Sequence, residues 1–276
     1  MFSIQLRAKR SLRLSPACLL AALFLAVLCN CGAASFSTNA FSDAFVATGP
    51  NGNLSANNYG GGGALALAAG SLPLGEFQSV LQFHLAGARS SFDAQFGAGQ
   101  WTVQSVTLQL TASPHNNAIY NNIAAGQFNI SLMQNNSWVE GTGTASIPTT
   151  DGISFNSLQS TYVNNANDQA LGTFSFGGGS SGANSYTLGL TTGLIADLLN
   201  GDDLSLRLNA ADDNVSYLFS SRANGTSASR PTLIINAIPE PGSLAFCVIG
   251  LATLWLRRKG RLQTADLPEP VGRLMR

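Results

Sequence analysis

The side chains able to do chemistry in this chain are few and dispersed. Of the two histidines, His84 occupies an outward position in an alternating run, and His115 lies in Ser113-Pro-His-Asn-Asn. Both read as surface residues and not as general bases. No serine stands in a G-x-S-x-G elbow. Glycoside hydrolysis needs two carboxyl groups about 5 to 9 Å apart, and Glu76 and Glu140 are the only glutamates between Ser35 and Asn236. Glu140, in a polar Gly-Thr-Gly segment, is expected to cap a turn or pair with an arginine. The pairs Asp202-Asp203 and Asp212-Asp213 bracket one strand and could offer oxygens to calcium, which takes six to eight such ligands. No D-x-D-x-D-G loop accompanies them, so a turn or helix-end role is favoured. We therefore expect no catalytic residue and no cofactor, with calcium the one metal to consider.

Recognition chemistry is better represented. Trp101, Tyr120, Trp138 and Tyr162 flank polar loops, and an exposed aromatic face there would stack on a sugar ring. The alternative, that Trp101 and Trp138 fill a core, stays open. The 22 asparagines between Ser35 and Asn236 supply amides for hydroxyl groups, and they equally suit turns. Over the same stretch four arginines, Arg89, Arg207, Arg222 and Arg230, face eleven carboxylates, a formal charge of −7, with no lysine. Such a surface repels phosphate backbones and excludes a nucleic-acid partner. The four cysteines, Cys18, Cys29, Cys31 and Cys247, all fall outside this stretch, so its stability must come from packing and not from disulfides.

The elements that must position these groups are short strands. Period-two runs at Phe77–Leu85, Val106–Leu110, Phe128–Leu132, Leu204–Leu208, Val215–Phe219 and Leu233–Ile235 read as strands with one buried face. Ala44–Thr48, Leu65–Ala68, Leu171–Phe176 and Tyr186–Leu190 are further candidates. Glycine-rich loops at 60–63 and 177–182 lack the lysine and the strand-loop-helix setting of a phosphate cradle. One short helix is expected, capped by Thr192 and ended by Gly201. The pattern predicts an all-β, jelly-roll-type antiparallel β-sandwich over residues 35–237.

The two ends have a different composition. Residues 1–34 carry Arg7, Lys9, Arg10 and Arg13, an apolar stretch from Leu14 to Leu28, and small residues before Ser35. This is the layout of a signal peptide cut after Ala33 or Ala34. Residues 238–261 contain Pro239-Glu240-Pro241, an apolar run from Leu244 to Leu256, and Arg257-Arg258-Lys259. The run alone reaches about 20 Å as a helix; counted from Pro239 to Arg258 it suffices for a membrane crossing with the basic end inside. Residues 262–276 form a short tail.

The tripartite segment resembles the PEP-CTERM sorting signal: Pro239, Glu240 and Pro241 match its triplet, and Arg257, Arg258 and Lys259 its basic end. That resemblance implies an exosortase-like membrane protein as partner. A second resemblance, to DNRLRE-type domains, rests on Asp43-Ala-Phe-Val, Glu76-Phe-Gln-Ser-Val-Leu-Gln-Phe, Trp138-Val-Glu-Gly-Thr-Gly-Thr before Asp151-Gly-Ile-Ser-Phe, and Phe219-Ser-Ser-Arg222 ahead of Arg230-Pro-Thr-Leu-Ile-Ile. It implies a jelly-roll sandwich of bacterial and archaeal surface proteins, some of which bind carbohydrate; Leu81-Gln82-Phe83 stands where such domains usually carry an arginine-containing strand. The expected function is that of an exported bacterial cell-surface or extracellular-matrix protein of structural or adhesive type. A carbohydrate-binding module for extracellular polysaccharide is the alternative, and a polysaccharide-degrading enzyme a more distant one.

Overall fold

A computed structural model of the chain describes residues 32–113, 125–177 and 182–240. The chain divides into two compact units, Met1–Ala33 and Ala34–Arg276, and every element described lies in the second. The leader up to residue 31, His115, Tyr120, Pro241, the apolar run Leu244–Leu256 and Arg257, Arg258 and Lys259 lie outside the described residues. Among the described residues no helix is long and apolar enough to cross a membrane.

Eleven antiparallel strands are described: β1 (Ala34–Asn39), β2 (Ser42–Ala47), β3 (Ala64–Ala68), β4 (Phe77–His84), β5 (Trp101–Thr111), β6 (Gly126–Met133), β7 (Gln169–Phe176), β8 (Ala183–Leu188), β9 (Asp203–Ala210), β10 (Ser216–Ser220) and β11 (Thr232–Pro239). One sheet runs β1-β11-β5-β8; the other runs β10-β3-β4-β9-β6-β7, with β2 also paired to β4. The two form a β-sandwich. Alternate residues of both sheets, among them Leu81 and Phe83 of β4, Val106, Leu108 and Leu110 of β5, Phe128 and Ile130 of β6, Leu204, Leu206 and Leu208 of β9, and Leu233 and Ile235 of β11, meet in one core. Period two thus does what it predicts: it sends every second apolar side chain inward.

Two elements escape the pattern. β1 holds Phe36 as its one large apolar residue among serine, threonine and asparagine, so it shows no alternation; its register opposite β11, from Ala34↔Ala237 to Asn39↔Thr232, places it. A helix, α1 (Ala86–Phe96), also forms where none is expected. It buries only Ala88 and Phe92, one turn apart, and no side chain caps its start, which leaves too little periodicity to read. The expected helix is α2 (Thr192–Asn200). Its N-cap is Thr191, whose hydroxyl accepts from the Leu194 amide, and not Thr192; Gly201 ends it in the left-handed conformation with φ 73°. Thr191 is the residue with extended backbone, which is what the capping geometry requires.

A further correction concerns β4. The sequence expects it half-buried with Gln78, Gln82 and His84 outward, yet Gln78 and Gln82 are buried and only His84 is exposed. The cause is the long connection from β6 to β7, residues 134–168, which lies over the outer face of the sheet. Trp138, Ile153 and Leu158 from this connection pack on Ala44, Val46 and Val80 in a second core. Polar groups trapped beneath it are matched: Gln82 donates to the Asn136 carbonyl (2.7 Å) and to Ser205 Oγ (3.3 Å), and the Trp138 indole donates to Ser205 Oγ (3.1 Å). Arg207 Nε donates to Gln78 Oε1 at 2.8 Å.

Asn58 fastens this cover. It is fully buried; its Nδ2 donates to the carbonyls of Glu140 (2.6 Å) and Ile153 (2.8 Å), and its Oδ1 accepts from the amides of Gly60 and Gly143, both 3.1 Å. A Cβ on Gly143 would lie 1.9 Å from the Asn58 carbonyl oxygen, and Gly141 has φ 76°, so the Gly-Thr-Gly run is required by close backbone approach. Asn58→Ala should leave two buried carbonyls and two buried amides without partners. At roughly 1 to 3 kcal/mol per orphaned group, the loss should be on the order of 3 kcal/mol or more. Thermal denaturation followed by circular dichroism should show a fall of many degrees, and an unchanged melting temperature would contradict the assignment.

Candidate functional site

Two polar assemblies form at the margins of the cover. The first joins Asp43 at the start of β2, Glu140 on the cover and Arg222 just after β10. Arg222 Nε donates to both Glu140 carboxylate oxygens (2.9 and 3.1 Å), and Arg222 Nη2 also bonds Oε2. The Arg222 backbone amide donates to Asp43 Oδ2 at 2.6 Å, and the Asp43 amide donates to Glu140 Oε1 at 3.3 Å. Glu140 therefore pairs with an arginine, as its setting suggests. Glu76, the other glutamate considered, goes elsewhere and bonds Gln78. The acid that does adjoin Glu140 is Asp43, which the sequence marks only as the opening of a strand.

Asp43 is wholly buried, and its Oδ1 has no hydrogen-bond partner among the described residues. Burial pushes its carboxyl up to about 7; the Arg222 amide pulls the other way, and the Glu140 charge adds to the rise. Both Glu140 oxygens are held by one guanidinium, and the acids act as a clamp between loops. On the exposed rim of the cover Asp151 binds the Thr142 amide (3.0 Å) and hydroxyl (2.7 Å) and the Thr149 hydroxyl (2.5 Å). These bonds, the Thr142 hydroxyl first, hold its carboxyl down near 2.

The second assembly is an open groove of about 560 Å³ lined by Gln134, Asn135, Asn136, Ser137, Thr161, Tyr162 and Asn164. No charged side chain lines it. Asn135 Oδ1 accepts from the Ser137 amide (2.9 Å) and hydroxyl (2.7 Å), and Asn136 Nδ2 donates to the Asp203 carbonyl (2.6 Å). These bonds fix the orientation of two amides, while Gln134 and Asn164 project as exposed side chains. Tyr162 is half-buried against the second core, so one part of its ring is fixed by packing.

The aromatic residues nominated for sugar stacking separate accordingly. Trp101 is 2% exposed and Trp138 3%. Trp101 donates to Asp93 Oδ1 at 2.8 Å, the chief reason that the Asp93 carboxyl lies below its ordinary value, and it packs on Phe92. Trp138 is held by Ser205. Neither offers a free face, and the structure assigns both to packing: large rings beside strands are drawn into whichever core is nearest. Of the three that are described, Trp101 borders a cavity and Tyr162 an open groove. Of the residues that match the sorting triplet, Pro239 is the last residue of β11, opposite Trp101, and the Glu240 amide donates to the Gln100 carbonyl at 2.9 Å. Glu240 also lines a cavity of about 390 Å³ with Arg89, Asp93, Trp101, Ile195 and Leu199.

The aspartate pairs serve local structure. Asp203 Oδ1 accepts from His84 Nδ1 at 2.7 Å, with His84 stacked on Phe41. Asp212 holds the amides of Gln127 (2.6 Å) and Asn214 (2.8 Å), and Asp213 accepts from Ser71 (2.8 Å). Among the described residues no three His, Cys, Asp or Glu side chains gather as a metal site.

No family model and no curated protein matches the chain. Among solved structures it is similar to a chain of the Cowpea mosaic virus top component, naturally occurring empty particles, at 9% identity and a TM-score of 0.24, covering 75% of this chain and 84% of that one. A Cowpea mosaic virus empty virus-like particle gives 10% identity and a TM-score of 0.22, with coverage of 74% and 82%. At these scores the likeness carries no argument.

Asp43 generates a pH test. Its folded form holds the proton up to about 7, whereas an unfolded aspartate loses it near 3.8. The contribution is therefore full below pH 4 and is lost as pH rises to 7, on the order of 4 kcal/mol for the shift. Wild-type stability measured by urea denaturation should fall across that interval through this group, and Asp43→Asn, which keeps an acceptor for the Arg222 amide, should remove that part of the slope. Identical slopes would sink the assignment.

Proposed function

We propose that the chain is an exported bacterial cell-surface or extracellular-matrix protein of structural or adhesive type, built on a jelly-roll-type sandwich and without catalysis of its own. In this reading the leader ending at Ala33 or Ala34 directs export. The PEP-CTERM-like segment then passes the protein to an exosortase-like membrane partner, with Leu244–Leu256 crossing the membrane and Arg257, Arg258 and Lys259 holding its inner end. The observation that supports the reading best is where the strands stop. β1 begins at Ala34, at the expected cut, and β11 ends at Pro239, inside the triplet. Cleavage after Ala33 leaves the first strand whole, and the sorting segment starts where the last strand ends.

A second reading, carbohydrate binding, is favoured by the groove at Tyr162. Uncharged amides and one packed aromatic ring suit a neutral polysaccharide, since amides pair with hydroxyl groups and the ring with the apolar face of a sugar.

Each reading has its own measurement. Replacing Pro239-Glu240-Pro241 by three alanines should keep full-length protein in the inner membrane, whereas the wild type is shortened and moves outward; Western blots of fractionated cells with identical bands for the two would defeat the sorting reading. For the groove, Tyr162→Ala should reduce retention on insoluble polysaccharide at an unchanged melting temperature. Trp138→Ala should instead lower the melting temperature by many degrees, on the order of 3 kcal/mol or more for a buried tryptophan. Undiminished retention by the Tyr162 variant would remove the motive for a glycan site.

A further inference from the structure

The edge strands β1, β8, β10 and β7 are not treated alike. On the larger sheet, β10 is closed off by the end of β5: Ala112 bridges Phe219, and the Ser113 amide donates to the Leu218 carbonyl at 2.9 Å. The other edge, β7, carries a register shift opposite Ile130 and Ser131, at Gly172 with φ 144°. Irregularity of this kind blunts an edge against further pairing. The smaller sheet is closed only at the very end of β8. Among the described residues no strand pairs with the outer side of β1 or of β8, and the one backbone bond there is from the Gly189 amide, just past β8, to the Leu171 carbonyl of β7 at 2.7 Å; neither strand contains a charged residue, a proline or a bulge.

These two open edges also match each other. Each strand has six residues. The order β1-β11-β5-β8 is antiparallel at every step, so β1 and β8 run in opposite directions. A second copy placed beside the first by simple translation would bring its β8 antiparallel to β1, continuing the alternation of the sheet. Faces agree as well. Ala34 and Phe36 of β1 and Tyr186 and Leu188 of β8 all turn to the main core, and Ser35, Ser37 and Asn39 share the outer side with Ala183, Ser185 and Thr187. The joined outer side would be a row of small uncharged residues, with no like charges to oppose it.

We propose that β1 of one copy pairs with β8 of the next, adding chains head to tail through the four-stranded sheet. The contact is heterologous: it uses different surfaces on the two copies and leaves one β1 and one β8 free at the ends, so it propagates and does not close on a pair. Sheet twist would turn each copy relative to the last and wind the array. Backbone pairing supplies the attraction, as in strand addition to an exposed edge. The proposal gives a mechanism to the structural role above and rests on that reading only for its setting, since self-association and sorting are read by separate measurements.

The test uses the full chain in detergent micelles, with protein mass followed by light scattering over a wide concentration range. The wild type should grow past the dimer as concentration rises. Ser35→Lys with Ser37→Lys blocks the β1 edge, and Ser185→Lys with Thr187→Lys blocks the β8 edge; each protein alone should stay monomeric, because every junction needs one edge of each kind. Mixing the two blocked proteins should restore a single junction and give a dimer and nothing larger. Threonine at Ser35, Ser37 and Ser185 should leave growth intact, and circular dichroism should report the same fold in all variants. A wild type that remains monomeric, a blocked protein that still associates, or a mixture that gives no dimer would each overturn the proposal.

Discussion

The constraint on which the rest of the molecule depends is that the outer face of the larger sheet is covered while still carrying polar side chains. A buried amide or hydroxyl without a partner costs more than its hydrogen bond returns elsewhere. Gln78, Gln82, Ser205 and Asn58 all lie beneath or within the cover, and each finds its partners there. Asn58 is the extreme case, matching carbonyls and amides from three separate stretches of chain. Its amide dictates the glycines around it, and those glycines let the 134–168 connection lie flat enough to seat Trp138 and Leu158 on β2 and β4.

Charge is used sparingly, and several charged groups tie elements together. Arg222 clamps Glu140, Arg207 bonds Gln78, and Arg89 donates to the Asn200 carbonyl at the end of α2 (2.7 Å) while pairing with Asp93 (3.5 Å). Three of the four arginines of the sandwich are thus engaged in holding elements together. The Tyr162 groove and the outer sides of β1 and β8 are left uncharged, and their chemistry is that of amides, hydroxyls and backbone. Such surfaces suit neutral polymers or further copies of the chain, and they would be little affected by salt.

The chain's first and last strands are neighbours. Ala34 lies opposite Ala237 and Pro239 opposite Trp101, so the start of the first strand and the end of the last belong to one region of the smaller sheet. That pairing spans the greatest separation in sequence among the described strands, and its loop-closure cost is correspondingly the largest.

Period-two alternation by itself determined the strands at Phe128–Leu132, Leu204–Leu208 and Leu233–Ile235, because a half-buried strand records its burial in every second residue. It determined equally that the fold is all-β, and the left-handed glycine at Gly201 marked the end of α2. The burial of Gln78 and Gln82, the helix α1 and the partner of Glu140 were decided only by tertiary structure. A long connection folding back over a sheet converts a half-buried strand into a central one without altering its sequence pattern. Asp43 and Arg222 reach Glu140 across 97 and 82 positions of chain, and no local periodicity records a contact of that span. The aromatic residues show the same division: composition nominated Trp101, Trp138 and Tyr162 alike, and burial separated them, since whether a ring meets core or groove depends on which distant strand lies beneath it.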